Sequence, residues 1–524
     1  MVIILNNKEF RKNLFIHLDG IALIAPLACL FDTDYKEISD LKNSSVKIKI
    51  SQLIEHNINQ DYLNVTLRLF ESQGWIKRKN NNQEFDIELT ENGKNLFKEL
   101  NVYKKFFLFY KQLSDLSFLD LEIYQSLNII LDEFENLKTE NRIIKKHIEG
   151  LITGPVLVSL FMNGHAKINE NNELLILDDI GNKNKDFIIK LFKKLHFFKG
   201  SLILNEKGLF FCKRSSAYGV TVSYMPLFSK MNILLFKDTS NILNRDSNGN
   251  ELHVNRKMNV WGSGGAHKLY FKKIDEIIIE IFNYPIEKQP KGIADMGCGD
   301  GTMLIHLYNL IKTKTLRGQL LDKYPLYVIG ADFNEEALEV THKNLNEENV
   351  SHILVQADIG NPDDFNQKLE KSHNIKLNHL LNVRSFLDHN RIFEMPKKED
   401  FNLNNITTQS TAAFCANNKN KMLEPIIFKL SLIEHFLKWK PYINKFGLIL
   451  LELHTIKPEL CSKNIGNTVA TAYDATHGYS NQYIIEYKEF VNAAIIAGLN
   501  FEQKFEFNFP SKELTTVSIN LMSS

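Results

Sequence analysis

Apolar and polar positions in the C-terminal half follow two alternating periods. Short apolar runs, typical of buried strands, are separated by segments with the three- and four-residue spacing of amphipathic helices. The predicted strands are 292–296, 326–331, 352–357, 377–382, 446–452, 501–508 and 515–521. The predicted helices are 301–312, 334–348, 362–372, 422–440 and 486–497. This alternation predicts an α/β fold with a mainly parallel sheet. Seven strands are predicted and the last two have no helix between them, which is the class I Rossmann-like methyltransferase layout.

The N-terminal half has a different pattern, in which one unit of helix, two strands and helix occurs twice. In the first copy an apolar helix ends at Gly74, and two strands flank a polar turn at 79–82. The matching segments of the two copies are Leu69-Phe70 and Leu191-Phe192, Trp75 and Phe197, and 89–93 and 204–208. This order of elements predicts two winged-helix-like units, the second with a shorter wing.

Winged helices often place one helix in the major groove of DNA. The corresponding helix of the first unit, 62–73, offers only Arg68 as a base, beside Glu71. DNA-binding proteins usually present a basic face that neutralises phosphates, and the net charge of this chain is only +1. We therefore expect no nucleic-acid partner, and we expect these units to pack within the protein or to form a homodimer.

Composition and local sequence indicate the cellular location of the protein. The longest uncharged apolar run, 21–31, contains Pro26 and is much shorter than the roughly 20 residues of a membrane span, which favours a buried core helix. The first residues are interrupted by asparagines and charges, unlike a signal peptide. The five cysteines form no C-x-x-C pair, which argues against a disulfide framework or a zinc knuckle. We expect a cytoplasmic protein with no membrane partner.

A glycine-rich turn follows the first predicted strand. Asp295 precedes it, and Gly297, Gly299 and Gly301 let the backbone approach a ligand closely. The spacing is G-x-G-x-G, whereas dinucleotide-binding proteins use G-x-G-x-x-G to bind a pyrophosphate. A carboxylate at position 295 is suited to the positively charged amine of a methionine group. The turn therefore favours S-adenosylmethionine over a dinucleotide.

Acidic residues also end the next two predicted strands. Asp332 is placed to accept both ribose hydroxyls, with an N-cap of the following helix as the alternative. Asp358 is suited to the adenine amino group. The three acids in this order predict an S-adenosylmethionine site. The further cofactor-binding candidates are Phe333, Ile359, Asn382, Gly264 and Tyr270.

Gly264 belongs to the stretch 261–267, which we interpret as a lid or helix start over the cofactor, with an ordinary linker as the alternative. We expect four segments along the chain. They are a winged-helix-like unit (1–110), a helical connector (111–150), a second winged-helix-like unit with a linker (151–250) and the S-adenosylmethionine-binding domain (251–524). The polar segment 396–421 is either a substrate loop or a surface insertion.

Four segments together carry a family resemblance: 255–271, the glycine-rich turn, 381–391 and 466–482. They are similar to the metal-dependent C-methyltransferase domains of polyketide synthase loading modules of the apratoxin type. The resemblance covers roughly residues 180–524. It implies methylation of a malonyl unit on an acyl carrier protein, with a mononuclear iron or manganese ion. The sequence departs from the family in having no carrier or ketosynthase domain attached, and we expect either a small molecule or a carrier-bound acyl group as the acceptor.

The carboxyl ends of strands four and five line the ligand crevice of an open α/β sheet. The loop expected after strand five supplies Tyr473, His477 and Gln482. His477 and Gln482, with Asp388 and His389 opposite, offer nitrogen and oxygen ligands suited to Mn²⁺ or Fe²⁺. A histidine taken alone is more often a hydrogen-bonded structural residue than a ligand, and the resemblance is what favours a metal ion here. Such an ion would stabilise an enolate as a Lewis acid.

The catalytic candidates are His454, His477, Arg384 and Tyr473. Either of the two histidines could remove a proton from the acceptor when it does not ligate metal. Two alternatives stay open. A metal-independent O-methyltransferase for a small molecule would need a histidine base, and a winged-helix regulator that senses the cofactor would need a strongly basic recognition helix.

Overall fold

The structure is a computed structural model that describes residues 2–80, 84–120, 122–245, 251–397, 406–416 and 422–524. The chain forms two compact units. The helical unit comprises Met1–His267, Ala413–Met422 and Lys457–Asn481. The sheet unit comprises Lys268–Ala412, Leu423–Ile456 and Gln482–Ser524.

Helices dominate the first half of the chain and alternate with strands in the second. The α-helices of the described residues are α1 (Val2–Cys29), α2 (Lys36–Asp40), α3 (Ile50–Glu55), α4 (Gln60–Ser72), α5 (Glu91–Phe97), α6 (Leu100–Phe107), α7 (Tyr110–Ser114), α8 (Ile123–Glu135), α9 (Arg142–Met162), α10 (Gly181–Lys194), α11 (Glu206–Cys212), α12 (Gly219–Ser223), α13 (Met225–Phe228), α14 (Met231–Phe236), α15 (Arg256–Ile281), α16 (Thr302–Lys314), α17 (Glu335–Glu347), α18 (Pro362–His373), α19 (Pro425–Trp439), α20 (Pro458–Ser462), α21 (Ala470–Gly478) and α22 (Tyr487–Ile496). The short 3₁₀ turns are Asp178–Ile180, Ser215–Tyr218, Ile286–Lys288, Gly318–Leu320, Leu377–His379, Asp388–Asn390, Lys440–Tyr442 and Gln503–Phe505.

The strands fall into three sheets. They are β1 (Val46–Lys49), β2 (Ile76–Asn80), β3 (Glu84–Leu89), β4 (Ala166–Ile168), β5 (Leu174–Ile176), β6 (Gly292–Met296), β7 (Tyr327–Asp332), β8 (Ile353–Gln356), β9 (Leu381–Ser385), β10 (Leu448–Leu453), β11 (Asn500–Phe501), β12 (Phe507–Phe509) and β13 (Val517–Ser523). Strands β1, β3 and β2 form one antiparallel sheet, and β4 and β5 form a hairpin. The remaining strands form the central sheet of the sheet unit.

The long apolar helix α1 is a core element of the helical unit. The run 21–31, predicted to be a buried helix, forms the last turns of α1 up to Cys29 and the turn that follows, and it is almost entirely buried. Within the part of the chain that the structure describes, Asn6–Cys29 is the one segment long and apolar enough to cross a membrane, and 83% of its apolar window is buried in the protein. A helix that is apolar on all sides needs such a buried position.

The first winged-helix-like unit has the predicted order of elements, with α4, β2, β3 and α5 in sequence. The second keeps the two helices, α10 and α11, but the strands predicted between them are wrong. The described residues there form two isolated bridges instead, one between Phe198 and Leu204 and one between Ile203 and Glu173. Only five residues lie between Phe198 and Leu204, which is too few to form a paired strand on each side of a turn. The predicted domain boundaries stay predictions.

The central sheet has the order β11-β13-β10-β9-β6-β7-β8, with β12 also paired to β13. Strands β8, β7, β6, β9 and β10 are parallel, and β13 is antiparallel to β10. Helices separate the parallel strands along the chain, so their carboxyl ends meet at one edge of the sheet. The class I methyltransferase fold that the sequence predicts is therefore confirmed.

Two details of the predicted sheet are wrong. The predicted strand 501–508 is divided into β11 and β12, because Phe507 is six positions after Phe501 while their partners on β13 are only three positions apart. The surplus residues form a turn, and the described sheet has eight strands rather than seven. The fourth strand begins at Leu381 instead of 377, because the apolar run that starts at Leu377 first forms a 3₁₀ turn.

The glycine-rich stretch 261–267 lies inside helix α15, which begins in the helical unit and ends in the sheet unit. The interpretation as an ordinary linker is therefore wrong. Gly262 packs directly against Gly219 in the helical unit, since a Cβ added to Gly262 would lie 2.5 Å from the backbone nitrogen of Val220. Part of the glycine content therefore serves a close helix contact.

Candidate active site

The turn after β6 has the backbone shape that only glycine adopts readily. Gly297, Gly299 and Gly301 have φ values of +75°, +57° and +80°, and α16 starts directly after them. A Cβ added to Gly297 would lie 2.9 Å from Leu387, whereas one added to Gly299 would meet nothing within 4 Å. The turn is thus tightly packed on one side and open at Gly299, where a ligand can approach the backbone.

Asp332, at the end of β7, is joined to this turn. Its carboxylate accepts a hydrogen bond from the Gly299 N–H at 3.2 Å and another from the Asn334 N–H at 2.9 Å. The alternative role as N-cap of the next helix falls to Asn334, whose side chain accepts from the Glu336 N–H. Phe333 beside it is 67% exposed, which leaves its aromatic ring accessible to a ligand.

Asp295 is buried in β6 beside these groups. Its Oδ1 atom has no hydrogen-bond partner among the described residues. Burial, followed by the nearby charges of Asp332 and Asp300, raises the pKa of Asp295 to about 8. A buried carboxyl with an unsatisfied acceptor fits the ammonium group of S-adenosylmethionine, which would supply both a hydrogen-bond donor and a compensating charge.

The adenine-side residues lie after β8. The Asp358 carboxylate accepts from the Gly360 N–H at 2.8 Å, and the Ile359 carbonyl accepts from the Trp439 indole N–H at 2.8 Å. Both residues therefore sit in a fixed loop at the carboxyl edge of the sheet. Their contact with the cofactor stays a prediction.

The sequence predicts that Asn382 ends its strand, and this prediction is wrong. It is the second residue of β9, and its side-chain amide donates to the carbonyl oxygens of Leu377 and Tyr442. The error has the same origin as the shifted start of this strand. The residues that do lie at the carboxyl end of β9 are Arg384 and Ser385.

The two remaining cofactor candidates lie on α15. Gly264 is exposed, and a Cβ added there would meet nothing within 4 Å. Tyr270, in the sheet unit, packs edge-on against Phe386 and Phe509 with ring centroids 5.9 Å and 5.1 Å apart. The contact of both residues with a cofactor stays a prediction.

Arg384 belongs to a buried ion cluster rather than to an open crevice. Its guanidinium lies 2.9 Å from Asp388 Oδ1 and over the ring of Trp439. The imidazole of His435 lies 2.9 Å from the same Asp388 oxygen. The guanidinium charges of Arg384 and Arg391 and the hydrogen bond with His435 outweigh the cost of burial and lower the pKa of Asp388 to about 2. Both Arg384 and Asp388 thus belong to this buried network, and their catalytic and metal roles stay predictions.

His389 follows in the same turn but pairs with a different acid. Its Nδ1 atom lies 2.5 Å from the carboxylate of Glu452, which ends the neighbouring strand β10. The Glu452 carboxylate also accepts from the backbone N–H of His389 at 3.2 Å. A carboxylate that fixes one ring nitrogen orients the histidine for proton transfer or for metal ligation through the other.

Gln482 lies next to this pair in the sheet unit. It is buried, and the backbone N–H of the following Tyr483 donates to the carbonyl oxygen of His389 at 2.7 Å. The structure therefore brings Gln482 and His389 into adjacent segments, as the sequence predicts.

His454 is a core residue. It is fully buried, its Nε2 lies 2.8 Å from the Ser518 hydroxyl, and its ring packs against Tyr487 and Phe490. Burial lowers the pKa of His454 to about 3. A neutral imidazole of such low basicity, enclosed in the core, does not suit the predicted role of general base.

Tyr473 and His477 belong to the helical unit, where the segment predicted as a loop forms helix α21. His477 Nδ1 lies 2.8 Å from the Tyr473 carbonyl and 3.0 Å from the Thr476 hydroxyl. Burial raises the pKa of Tyr473 to about 12. The loop prediction is wrong because Ala470–Gly478 lacks a helix breaker until its last residue, and the catalytic and metal roles of this helix stay predictions.

No group of three or more His, Cys, Asp or Glu side chains suited to a metal ion occurs among the residues that the structure describes. Asp388 contacts Arg384 and His435 through Oδ1, while its Oδ2 has no hydrogen-bond partner among the described residues, and its role as a metal ligand stays a prediction. His389, oriented by Glu452, has the support that ligating histidines usually receive.

The sequence missed Glu452 and His435 as partners of these residues. Glu452 lies at the end of the fifth strand and next to the fourth, and that position is the signal by which it could have been found. His435 lies on a helix whose apolar pattern gives no sign of an ion pair.

Parts of this chain are similar to known protein families. A family model described as the AprA MT2-like domain matches residues 251–520. Models of the AprA winged helix domain and the AprA N-terminal domain match residues 149–238 and 10–78. None of the curated proteins matches the chain.

Several solved structures resemble the chain at low identity. An O-methyltransferase family protein from Burkholderia thailandensis is 9% identical, over 77% of this chain and 96% of that chain, with a TM-score of 0.34. PigF with SAH is 10% identical, over 83% and 100%, with a TM-score of 0.33. The plantazolicin methyltransferase BpumL in complex with SAH is 14% identical, over 52% and 91%, with a TM-score of 0.28. Likenesses at this level say nothing further about activity.

The sheet order, the glycine turn and the matched domain define a class I S-adenosylmethionine-dependent methyltransferase, and the protein is an enzyme. More narrowly, the chain belongs to the AprA MT2-like family of methyltransferase domains.

Proposed function

We propose that this enzyme transfers the methyl group of S-adenosylmethionine to a carbon atom of a malonyl-type or β-dicarbonyl acyl acceptor, in a polyketide-like biosynthesis. The acceptor is a free small molecule or an acyl group on a carrier protein. The observation that carries the proposal is the AprA MT2-like match over the sheet unit, because it joins the cofactor turn to the His389–Glu452 pair in one family domain.

Methylation at carbon requires the loss of a proton next to a carbonyl group before the methyl group arrives. His389 is the residue best placed to take it, because Glu452 holds its Nδ1 atom and stabilises the imidazolium that forms. The pair lies at the carboxyl ends of β9 and β10, on the edge of the sheet where Asp295 and Asp332 also lie. Proton removal and methyl transfer can therefore occur at the same edge.

A Mn²⁺ or Fe ion is part of this proposal as the family resemblance implies it. Of the predicted ligands in the sheet unit, Gln482 and Asp388 would hold such an ion while His389 acts as the base. His389 would be a ligand only in place of that role, because Glu452 holds its Nδ1 atom and a single ring nitrogen remains. The ion would supply Lewis-acid stabilisation of the acceptor's enolate. The contribution of His477 stays a prediction from the sequence.

Mass spectrometry with isotopically labelled cofactor tests the proposal. Purified enzyme is mixed with malonyl and methylmalonyl groups, both as thioesters of a small thiol and on an acyl carrier protein. We expect a mass gain of one methyl group on the acyl carbon, and a loss of this product in His389→Ala and Glu452→Gln. A product methylated only at oxygen, or none with any acyl acceptor, would refute carbon methylation.

A metal-independent O-methyltransferase is the second candidate, and the His389–Glu452 pair is what favours it. A histidine oriented by a carboxylate can deprotonate a hydroxyl group without a metal ion. Elemental analysis of protein prepared without chelators, with turnover measured before and after metal removal, separates the two candidates. Full turnover of metal-free enzyme on a phenol or a carboxylic acid would select this one.

The setting of the enzyme is also a proposal. We infer a cytoplasmic enzyme with no nucleic-acid or membrane partner. In support, Arg68, the one base of the candidate recognition helix, is buried and lies 3.1 Å from Asp474. A buried ion pair offers no charge to a phosphate backbone.

A further inference from the structure

The repeat in the helical unit recurs in the structure contact by contact. Copy 1 denotes residues 2–110 and copy 2 residues 142–228. After α4 the backbone N–H of Trp75 donates to the carbonyl of Phe70 at 3.0 Å, and after α10 that of Phe197 donates to Phe192 at 2.9 Å. Each aromatic pair is also in ring contact, at 5.5 Å and 5.2 Å. The two helices therefore end in the same way.

The helices that follow are also capped alike. The Thr90 hydroxyl accepts from the Gly93 N–H at 3.1 Å, and the Asn205 side chain accepts from the Gly208 N–H at 2.9 Å. A Cβ added to either glycine would lie 2.1 Å or 2.4 Å from the carbonyl oxygen of the matching aromatic residue. Both copies thus need a glycine at the same place for the same reason.

The repeat extends to α1 and α9. Residues 17–20 read His-Leu-Asp-Gly and residues 147–150 read His-Ile-Glu-Gly. A Cβ added to Gly20 would lie 2.3 Å from the His147 Cα, and one added to Gly150 would lie 2.4 Å from the His17 Cα. Reciprocal contacts of this kind, in which each partner uses the same residues, are the mark of a two-fold interface.

Two buried tyrosines complete the reciprocal pattern. The Tyr218 hydroxyl of copy 2 lies 2.7 Å from Nδ1 of His17, and the Tyr103 hydroxyl of copy 1 lies 2.9 Å from Nδ1 of His147. Each hydrogen bond therefore crosses from one copy to the other. All four side chains are fully buried, so these bonds lie inside the contact.

We propose that the helical unit is a duplicated winged-helix fold whose two copies pair within one chain as the subunits of a symmetric dimer do. The internal pairing takes the place of a homodimer, and the enzyme is a monomer. The apolar surface of α1 that a second copy of the chain would otherwise cover is already covered by α9, since Ile21, Leu23 and Ile24 are fully buried. Over residues 6–29, the part of α1 whose side chains the structure describes, no comparable apolar face remains for association.

The copies differ at the acidic position of the repeat. Glu149 of copy 2 lies 3.5 Å from His17, across the pairing contact. Its counterpart Asp19 instead accepts from the Gln73 side-chain amide at 3.1 Å, and the same amide donates to Thr471 of helix α21 at 3.0 Å. Glu149 therefore contacts the other copy, whereas Asp19 is linked to α21 through Gln73.

Sedimentation equilibrium of the full-length enzyme tests the proposal without any measurement of activity. We expect a single species of 60.6 kDa over the whole range of protein concentration, with and without S-adenosylmethionine. A species of twice this mass that persists on dilution would overturn the proposal. Neither result depends on the acceptor, so failure here is separate from failure of the proposed function.

Paired variants test the two-fold relation itself. Tyr103→Phe and Tyr218→Phe each remove one of the equivalent hydrogen bonds, so we expect both to lower Tm by a few degrees and to a similar extent. Tyr124→Phe, which removes an exposed hydrogen bond with Lys183 outside the pairing contact, is the control and should leave Tm unchanged. A large loss in one tyrosine variant with none in the other would contradict the two-fold pairing.

Discussion

At the scale of single residues, Asp295 couples stability and cofactor binding to pH. Its pKa is raised from 3.8 to about 8 in the folded, cofactor-free protein, chiefly by burial. The folded state therefore binds a proton that the unfolded state has lost, and its stability falls as pH rises from about 4 to about 8. Asp295→Asn should flatten this fall, because the amide does not titrate.

Thermal unfolding of wild type and Asp295→Asn at a series of pH values measures this effect. Near pH 8 the variant should be the more stable of the two when no cofactor is present, and it should bind S-adenosylmethionine more weakly because the amine loses its counter-charge. Parallel pH curves for the two proteins would contradict the assignment.

Asp388 gives a second residue-scale prediction. Its removal leaves the Arg384 guanidinium buried without a counter-charge. Asp388→Asn should therefore lower the free energy of unfolding by about 3–5 kcal/mol, the usual cost of breaking a buried ion pair. Urea denaturation checks this value.

Glu394→Gln is the matched control for Asp388→Asn. It breaks an exposed pair with Lys438 and should cost less than about 1 kcal/mol. Equal losses in the two variants would show that Asp388 is not the structural anion that we assign.

The residue scale also shows how far sequence alone can go. Asp295 and Asp332 were predictable, because a strand pattern followed by glycine or by a helix fixes a strand end locally. The His389–Glu452 pair was not, because 63 residues separate its members and only the pairing of β9 with β10 brings them together. Asn382 was misplaced by the four-residue error in the start of β9.

At the scale of elements, helix α15 contains glycines in two different environments, one closely packed and one open. Gly262 lies against the backbone of Gly219, whereas a Cβ at Gly264 meets open space. Gly262→Ala should destabilise the protein, since the facing backbone would have to move. Gly264→Ala should instead stabilise the helix by about 1 kcal/mol through the better helix propensity of alanine.

Denaturation curves of these two variants give the comparison, and cofactor affinity is the second readout. A drop in S-adenosylmethionine affinity in Gly264→Ala, with stability kept, would support the predicted cofactor contact of Gly264. Two variants of equal stability would contradict the packing role of Gly262.

Element type was predicted well where the period of the pattern was long and uninterrupted. The helices between the parallel strands lie within a few residues of their predicted ends. Errors occurred where a buried apolar side chain lies in a turn and continues the spacing of a strand. Leu377 before β9 and Phe505 between β11 and β12 are such residues.

At the scale of the whole molecule, one chain combines a duplicated helical unit with a sheet unit that carries the cofactor turn. The duplication was visible in the sequence of α4 to α5 and α10 to α11. Its extension to α1 and α9 was not, because the shared His-x-x-Gly motif lies in two helices whose remaining positions are generally apolar. The reciprocal glycine contacts are what identify it.

Isothermal titration calorimetry with S-adenosylmethionine tests the central claim most directly. Wild-type protein should bind one equivalent per chain. Gly299→Val, which fills the open space beside the turn, and Asp332→Ala, which removes the carboxylate assigned to the ribose, should each weaken binding at least tenfold, or by about 1.4 kcal/mol. Wild-type affinity in both variants, or no binding to the wild-type protein, would contradict the account.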